Sequence, residues 1–154
     1  MSGRIGRVSS ERRVPLAARW SLRRGTDGEW LDIPGPSTVA AALRAIGHWS
    51  LDAPVRHFDA DDWWFRAQFD EAPNDPAEAR RVLAFGGLAG LCEVWLNGAM
   101  LLQSSNMHLR HSCAVPSLGA GSNELLMRFA SLDRWLAQKR ARPRWRAPMV
   151  AHQQ

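Results

Sequence analysis

From Asp62 the chain alternates strictly, with Trp63, Phe65, Ala67 and Phe69 falling on one side and Trp64, Arg66 and Gln68 on the other. A period of two is the geometry of a pleated strand with one buried face, because successive side chains point to opposite sides of a sheet. A second signal fixes how such strands connect. Asn97-Gly98 separates Leu91–Leu96 from Ala99–Leu102, and both turn residues tolerate the positive φ that a two-residue type I′ hairpin requires. A chain holding these two features needs antiparallel partners for its apolar faces, which excludes a helical bundle.

Further strands follow the same logic. Ala18–Leu22 reads as a first strand closed by the turn cluster Gly25-Thr26-Asp27-Gly28, and Arg81–Phe85 as another, ended by Gly86-Gly87. Asp70 to Glu78 is a polar, proline-containing connector, and Gln103 to His108 an irregular polar loop. Alternation then resumes, with Leu109, His111, Cys113 and Val115 on one side and Arg110, Ser112 and Ala114 on the other. After a turn at Gly119-Ala120-Gly121-Ser122, Asn123–Phe129 forms the last strand, with Leu125, Met127 and Phe129 inward. Trp63 and Trp95 are expected on inward registers, where a large aromatic fills a core. Strands at intervals of roughly 8–12 residues without βαβ alternation describe an all-β protein, an antiparallel β-sandwich or jelly roll.

Two short helices interrupt the pattern. Thr38–Ile46 follows Pro34-Gly35-Pro36, with Ser37 as the expected N-cap and Gly47 just past the end; Val39, Leu43 and Ile46 share one face. Ser131 is expected to cap a helical turn over Leu132–Lys139 that stops before Pro143. The organisation that results is a disordered basic leader over 1–17, a sandwich domain over 18–132 and a basic C-terminal segment over 133–154 leading to a further domain.

At 154 residues the chain suits one domain with a real core, and 45% hydrophobic with 23% charged residues is the composition of a globular protein. No apolar run approaches the ~18 residues of a membrane span, and the basic N-terminus leads into polar residues rather than the apolar centre of a secretory signal, which favours the cytoplasm. The formal charge of +5 is concentrated: residues 134–146 hold Arg134, Lys139, Arg140, Arg142, Arg144 and Arg146 with no acid, leaving the remainder at −1. A short cationic segment binds polyanions only non-specifically, and no helix-turn-helix, zinc or RNA-binding pattern accompanies it, so no specific nucleic-acid partner is implied. Cys92 and Cys113 lack metal-ligand spacing and read as inert core thiols. No phosphate loop or nucleophile arrangement stands out, His48, His57, His108 and His152 are unpaired in spacing, and no cofactor or metal is expected.

Six motifs taken in order carry a family likeness: Pro34-Gly35-Pro36-Ser37, Asp62-Trp63-Trp64-Phe65-Arg66, Phe85-Gly86-Gly87-Leu88, Trp95-Leu96-Asn97-Gly98, Ser105-Asn106-Met107 and Asn123-Glu124-Leu125. Together they resemble the N-terminal sugar-binding, jelly-roll domain of family-two glycoside hydrolases, and within that family the β-mannosidases most. The resemblance implies a galactose-binding-like sandwich that precedes a sugar-cleaving barrel and helps to wall its pocket. Glycosidases work with two carboxylates, one protonating the leaving oxygen and the other acting as nucleophile or base. In the resembled family both are glutamates of the barrel, so no catalytic residue is expected here; a (β/α)₈ barrel alone needs about 250 residues.

The resemblance also nominates positions for carbohydrate or interdomain contacts. Asn106 and His111 belong to a stretch matching a loop that approaches the barrel mouth, while Arg144 and Trp145 match the segment leading into the next domain. For Asn106 the competing reading is that it satisfies its own loop backbone; for His111 it is a hydrogen-bonded inward histidine. The implied function is a non-catalytic accessory carbohydrate-binding or interdomain module of a β-mannosidase-like retaining glycosidase. Its partners would be a weakly bound mannoside-type ligand and a downstream catalytic barrel in cis or trans. A free-standing lectin-like mannoside binder and a structural protein-interaction domain are the alternatives.

Overall fold

The computed structural model describes residues 13–71, 81–115, 118 and 121–139. Eight strands occur among them: β1 (Arg19–Arg24), β2 (Leu31–Ile33), β3 (Trp63–Glu71), β4 (Val82–Phe85), β5 (Leu91–Leu96), β6 (Ala99–Ser104), β7 (His111–Ala114) and β8 (Gly121–Ala130). Helices α1 (Val39–Ala45) and α2 (Leu132–Ala137) and a 3₁₀ turn at Phe58–Ala60 complete the fold. Six strands form one antiparallel sheet in the order β2-β1-β3-β8-β5-β6, and β4 pairs with β7 in a second, two-stranded sheet. The all-β antiparallel sandwich with two short helices is therefore what the chain builds.

One face of the large sheet makes the core. Trp20, Leu22, Ile33, Trp63, Phe65, Ala67, Phe69, Leu125, Met127, Val94, Leu96 and Cys92 are all buried, and the registers set them side by side: Leu22 with Phe65, Phe65 with Met127, Met127 with Val94. Leu83, Phe85 and Val115 of the small sheet and its flank pack against this cluster, as do Val39 and Ile46, while Ala42 and Leu43 of α1 lie within it. Burying a Leu or Phe side chain is worth roughly 1.5–3 kcal/mol, so this one face supplies most of the stabilisation.

The hairpin at Asn97-Gly98 forms as expected, with φ of 50° and 81° at the two turn residues. It is also anchored from outside: Asn97 Nδ2 donates to Asn123 Oδ1 at 2.8 Å, the Glu124 N–H donates to Asn97 Oδ1 at 2.8 Å, and buried Asn123 donates to the Gly121 carbonyl at 3.0 Å. A polar residue in the core is tolerated because its hydrogen-bonding groups find partners.

Several details differ from the sequence expectations. Thr38, not Ser37, is the N-cap of α1, because its Oγ1 accepts from the Ala41 N–H at 3.2 Å; Gly47, at φ 74°, closes the helix as expected. The strand at Leu31–Ile33 was not expected at all: three residues are too few to show a period, and only pairing with β1 reveals it. β1 runs on to Arg24, β3 takes in Asp70 and Glu71, β6 takes in Gln103 and Ser104, and β8 takes in Gly121 and Ser122, since ladder pairing continues past where apolar alternation fades. Leu109 precedes β7 and is exposed instead of sharing the inward side with His111, Cys113 and Val115. Trp95 does not face the core. The pairs Cys92–Phe129, Val94–Met127 and Leu96–Leu125 turn Cys92, Val94 and Leu96 inward, and Trp95 lies on the opposite face.

Candidate functional site

The loop between β6 and β7 brings Asn106 and His111 into one hydrogen-bonded group centred on Ser104. Ser104 stands opposite core residue Cys92 at the end of β6, and His111 stands opposite Phe85 on the inward side of β7. His111 Nε2 lies 3.1 Å from Ser104 Oγ, so the pair bridges the two sheets. Ser104 Oγ also reaches the Asn106 carbonyl at 3.3 Å and accepts from the Asn106 N–H at 3.4 Å. Asn106 Oδ1 accepts from the His108 N–H at 2.9 Å, an Asx-type turn in which the side chain mimics backbone. The Asn106 amide nitrogen keeps its two protons free of any acceptor among the described residues. Gly87 presses against this loop: a Cβ there would sit 2.7 Å from the Met107 carbonyl oxygen, so this position needs glycine. Arg144 and Trp145 lie outside the described residues.

A second constellation occupies the outer face of the large sheet. Arg23, Trp64, Arg128, Glu93 and Gln103 stand abreast on β1, β3, β8, β5 and β6. In the adjacent row come Ser21, Arg66, Leu126, Trp95 and Met100. The rows interlock through rings. Trp64 and Trp95 stack at 5.8 Å between centroids and 21° between planes, and the guanidinium carbons of Arg23 and Arg66 lie 4.6 and 4.2 Å from the Trp30 centroid. Arg23 and Arg128 also approach Trp64, at 5.6 and 5.9 Å. Arg66 Nε donates to Ser21 Oγ at 3.1 Å. The sequence placed Trp64, Arg66 and Gln68 on this face but none of the residues from the other strands; an aromatic on each register of β3 was the available signal that both faces are engaged.

Next to this row, just before β3, Asp62 gathers three donors. The Ser131 N–H donates to Oδ1 at 2.7 Å, Arg134 to Oδ1 at 2.8 Å and Arg128 to Oδ2 at 3.0 Å; Arg128 also pairs with Glu93 at 2.9 Å. Burial pushes the Asp62 carboxyl toward higher pKa, but the Ser131 hydrogen bond and the charges of Arg128 and Arg134 prevail and hold it below the usual range. Ser131 in turn caps α2 by accepting from the Arg134 N–H at 3.1 Å. This group locks the start of β3, the end of β8 and α2 together, and its chemistry is structural.

Burial pushes the Cys92 thiol up to about 12, with the neighbouring Glu93 charge adding to the effect, and burial also raises Cys113. A thiol held in its protonated form is a poor nucleophile and ligand. Among the described residues no three His, Cys, Asp or Glu side chains gather as a metal site, and no helix is long and apolar enough to cross a membrane.

Comparison with known proteins places this geometry. The family model for the glycosyl hydrolase 2 galactose-binding domain-like domain matches residues 20–154. The chain belongs to that family. It is 46% identical over 130 residues to β-mannosidase B of Thermothelomyces thermophilus, covering 77% of this chain, and 34% identical over 124 residues to β-mannosidase B of Aspergillus terreus, covering 72%. The crystal structure of the β-D-mannosidase from Dictyoglomus thermophilum superposes with a TM-score of 0.68 at 25% identity, covering 79% of this chain and 16% of that one. The β-D-glucuronidase of the same organism shares the fold, at a TM-score of 0.58 and 18% identity over 75% of this chain and 19% of that one. This chain spans only 15% and 14% of the two fungal relatives. It is thus the N-terminal domain type of β-mannosidase-like family-two glycosidases.

Proposed function

We propose that this domain serves a β-mannosidase-like retaining glycosidase as a non-catalytic accessory module, contributing binding and docking surface while the proton-transfer carboxylates reside elsewhere. The observation that carries this reading is coverage: a 46% identical match spans 77% of this chain but 15% of a β-mannosidase B. A module of that size supplies a scaffold, since shared fold alone confers no chemistry. Within it, Asn106 is the residue to offer a sugar hydroxyl or a neighbouring domain a donor, because its carbonyl is engaged by the loop and its amide N–H groups are not. His111, whose ring is tied to Ser104, would act by holding that loop in place.

The lectin alternative fares worse. A lectin that stacks a sugar ring on an indole finds little room on the outer face, where Trp30 and Trp64 already carry guanidinium groups and Trp95 is stacked on Trp64. Titration of the purified chain with mannose, mannobiose and a control glucoside, followed by amide shifts, is expected to show at most weak binding confined to the loop around Asn106. Assay with an aryl β-mannoside is expected to show no turnover. Turnover by the purified chain would overturn the accessory reading, and submicromolar mannoside binding would favour the lectin.

A further inference from the structure

The turn that closes the β5–β6 hairpin carries a chemistry that the fold does not use. The chain has four asparagines, Asn74, Asn97, Asn106 and Asn123, and only Asn97 is followed by glycine. An asparagine side-chain carbonyl lies near enough to the next residue's backbone nitrogen to close a succinimide ring, and a glycine there leaves that nitrogen unshielded. Asn97 and Gly98 are both exposed to water, and nothing stands within 4 Å of where a Cβ on Gly98 would be. Against that exposure stand hydrogen bonds to β8. The Asn97 N–H donates to the Glu124 carbonyl at 2.8 Å, its Oδ1 accepts from the Glu124 N–H at 2.8 Å, and its Nδ2 donates to Asn123 Oδ1 at 2.8 Å. They fix the amide against β8, and both side-chain bonds must break before the carbonyl can rotate over the Gly98 nitrogen.

We propose that Asn97 is a deamidation site that β8 holds shut, and that its product cannot rebuild the packing it came from. The Gly98 nitrogen gives its proton to a base in solution, and its electron pair bonds to Asn97 Cγ. The Cγ–Nδ2 bond breaks, and that nitrogen takes a proton from water and leaves as ammonia. Water then opens the succinimide at one or the other carbonyl, giving aspartate or isoaspartate; nothing is oxidised or reduced, and water is the only co-reactant. In the aspartate product a carboxylate oxygen faces Asn123 Oδ1, acceptor against acceptor. Asn123 cannot turn a donor toward it, because this side chain is 1% exposed and its Nδ2 already donates to the Gly121 carbonyl at 3.0 Å. Isoaspartate instead adds a backbone carbon to a two-residue turn whose length sets the register of both strands. Opening of the hairpin exposes the amide and conversion prevents reclosure, so the rate of the reaction reports how often this hairpin opens. The proposal stands whether or not the domain serves a glycosidase.

The test is incubation of the purified 154-residue chain in mildly alkaline buffer, followed by peptide mapping in a mass spectrometer and enzymatic detection of isoaspartate. Conversion is expected at Asn97, ahead of Asn106 and Asn123. Asn123→Ala is expected to raise the Asn97 rate about tenfold by removing the acceptor that holds Nδ2, and unfolding in urea to raise it further. The parent gives a second measure that needs no variant to fold: its Asn97 rate should rise across sub-denaturing urea in step with amide exchange at Asn97 and Glu124. Asn97→Asp, which makes one product directly, is expected to melt about 5 °C below the parent. Equal Asn97 rates in the folded parent and the urea-unfolded chain would overturn the gating by β8. Conversion of Asn106 or Asn123 as fast as Asn97 in the unfolded chain would overturn the site itself. An unchanged melting temperature for Asn97→Asp would overturn the loss of packing.

Discussion

The two faces of the central sheet are built from the same strands and solve opposite problems. On the inner face Trp63, Phe65, Ala67 and Phe69 meet Leu22, Leu125 and Met127 with no charge among them, and stability comes from area removed from water. On the outer face Trp64 and Arg66 alternate with those same residues, and order comes from indoles and guanidinium groups packed in layers. The first arrangement is non-directional and finished. The second is directional, held by stacked rings and guanidinium groups at fixed distances. Apolar surface can close on itself, whereas unpaired cations and buried N–H groups need a counterpart of fixed position.

This contrast can be broken at several points. The largest effect is expected inside: Phe65→Ala should cost about 3–5 kcal/mol in urea unfolding, because Phe65 is 4% exposed and packs edge-on against Phe129 at 5.6 Å. A loss below about 1 kcal/mol would mean that the inner face is not the core. Asn123→Ala should follow at about 1–3 kcal/mol, since it strips the Asn97 side chain of its acceptor and loosens the hairpin. Amide exchange at Asn97 and Glu124 would report that loosening directly.

Next comes pH. Asp62 has a depressed folded-state pKa, so its contribution is fully present above the ordinary carboxylate value near 4 and is lost as pH falls through the lower folded value. Asp62→Asn should therefore melt about 3 °C lower than the parent at pH 7 and show a smaller fall in melting temperature on acidification below pH 4. Equal acid sensitivity of the two proteins would remove Asp62 from the account. The smallest effect belongs to the outer face: Arg66→Gln in the isolated chain should cost only about 1 kcal/mol, the worth of a half-buried cation–π contact whose hydrogen bond to Ser21 an amide can partly replace. A cost of several kcal/mol would make Arg66 a structural residue and weaken the contrast between the faces.

Legibility in the sequence followed how local each cause was. The alternation of β3, the hairpin at Asn97-Gly98 and the cap at Ser131 depend on neighbours within a few residues, and they form as expected. Trp95 did not follow, because Leu91–Leu96 is apolar on both registers and only pairing with β8 chooses between them. Leu31–Ile33 is a strand solely because β1 lies beside it. The site divides in the same way. Asn106 and Ser105 announced a polar loop, but the bridge from His111 to Ser104 joins different sheets, and the layer of Trp30, Arg23, Arg66 and Trp64 draws on residues more than 40 positions apart.

The amino-acid order alone thus determined a sandwich of antiparallel strands and its family, since pleat period, turn chemistry and motif order are written along the chain. Which of two apolar registers faces inward, and which arginines are left without a carboxylate, was decided only when the strands paired, because register across a sheet is a property of two segments and never of one.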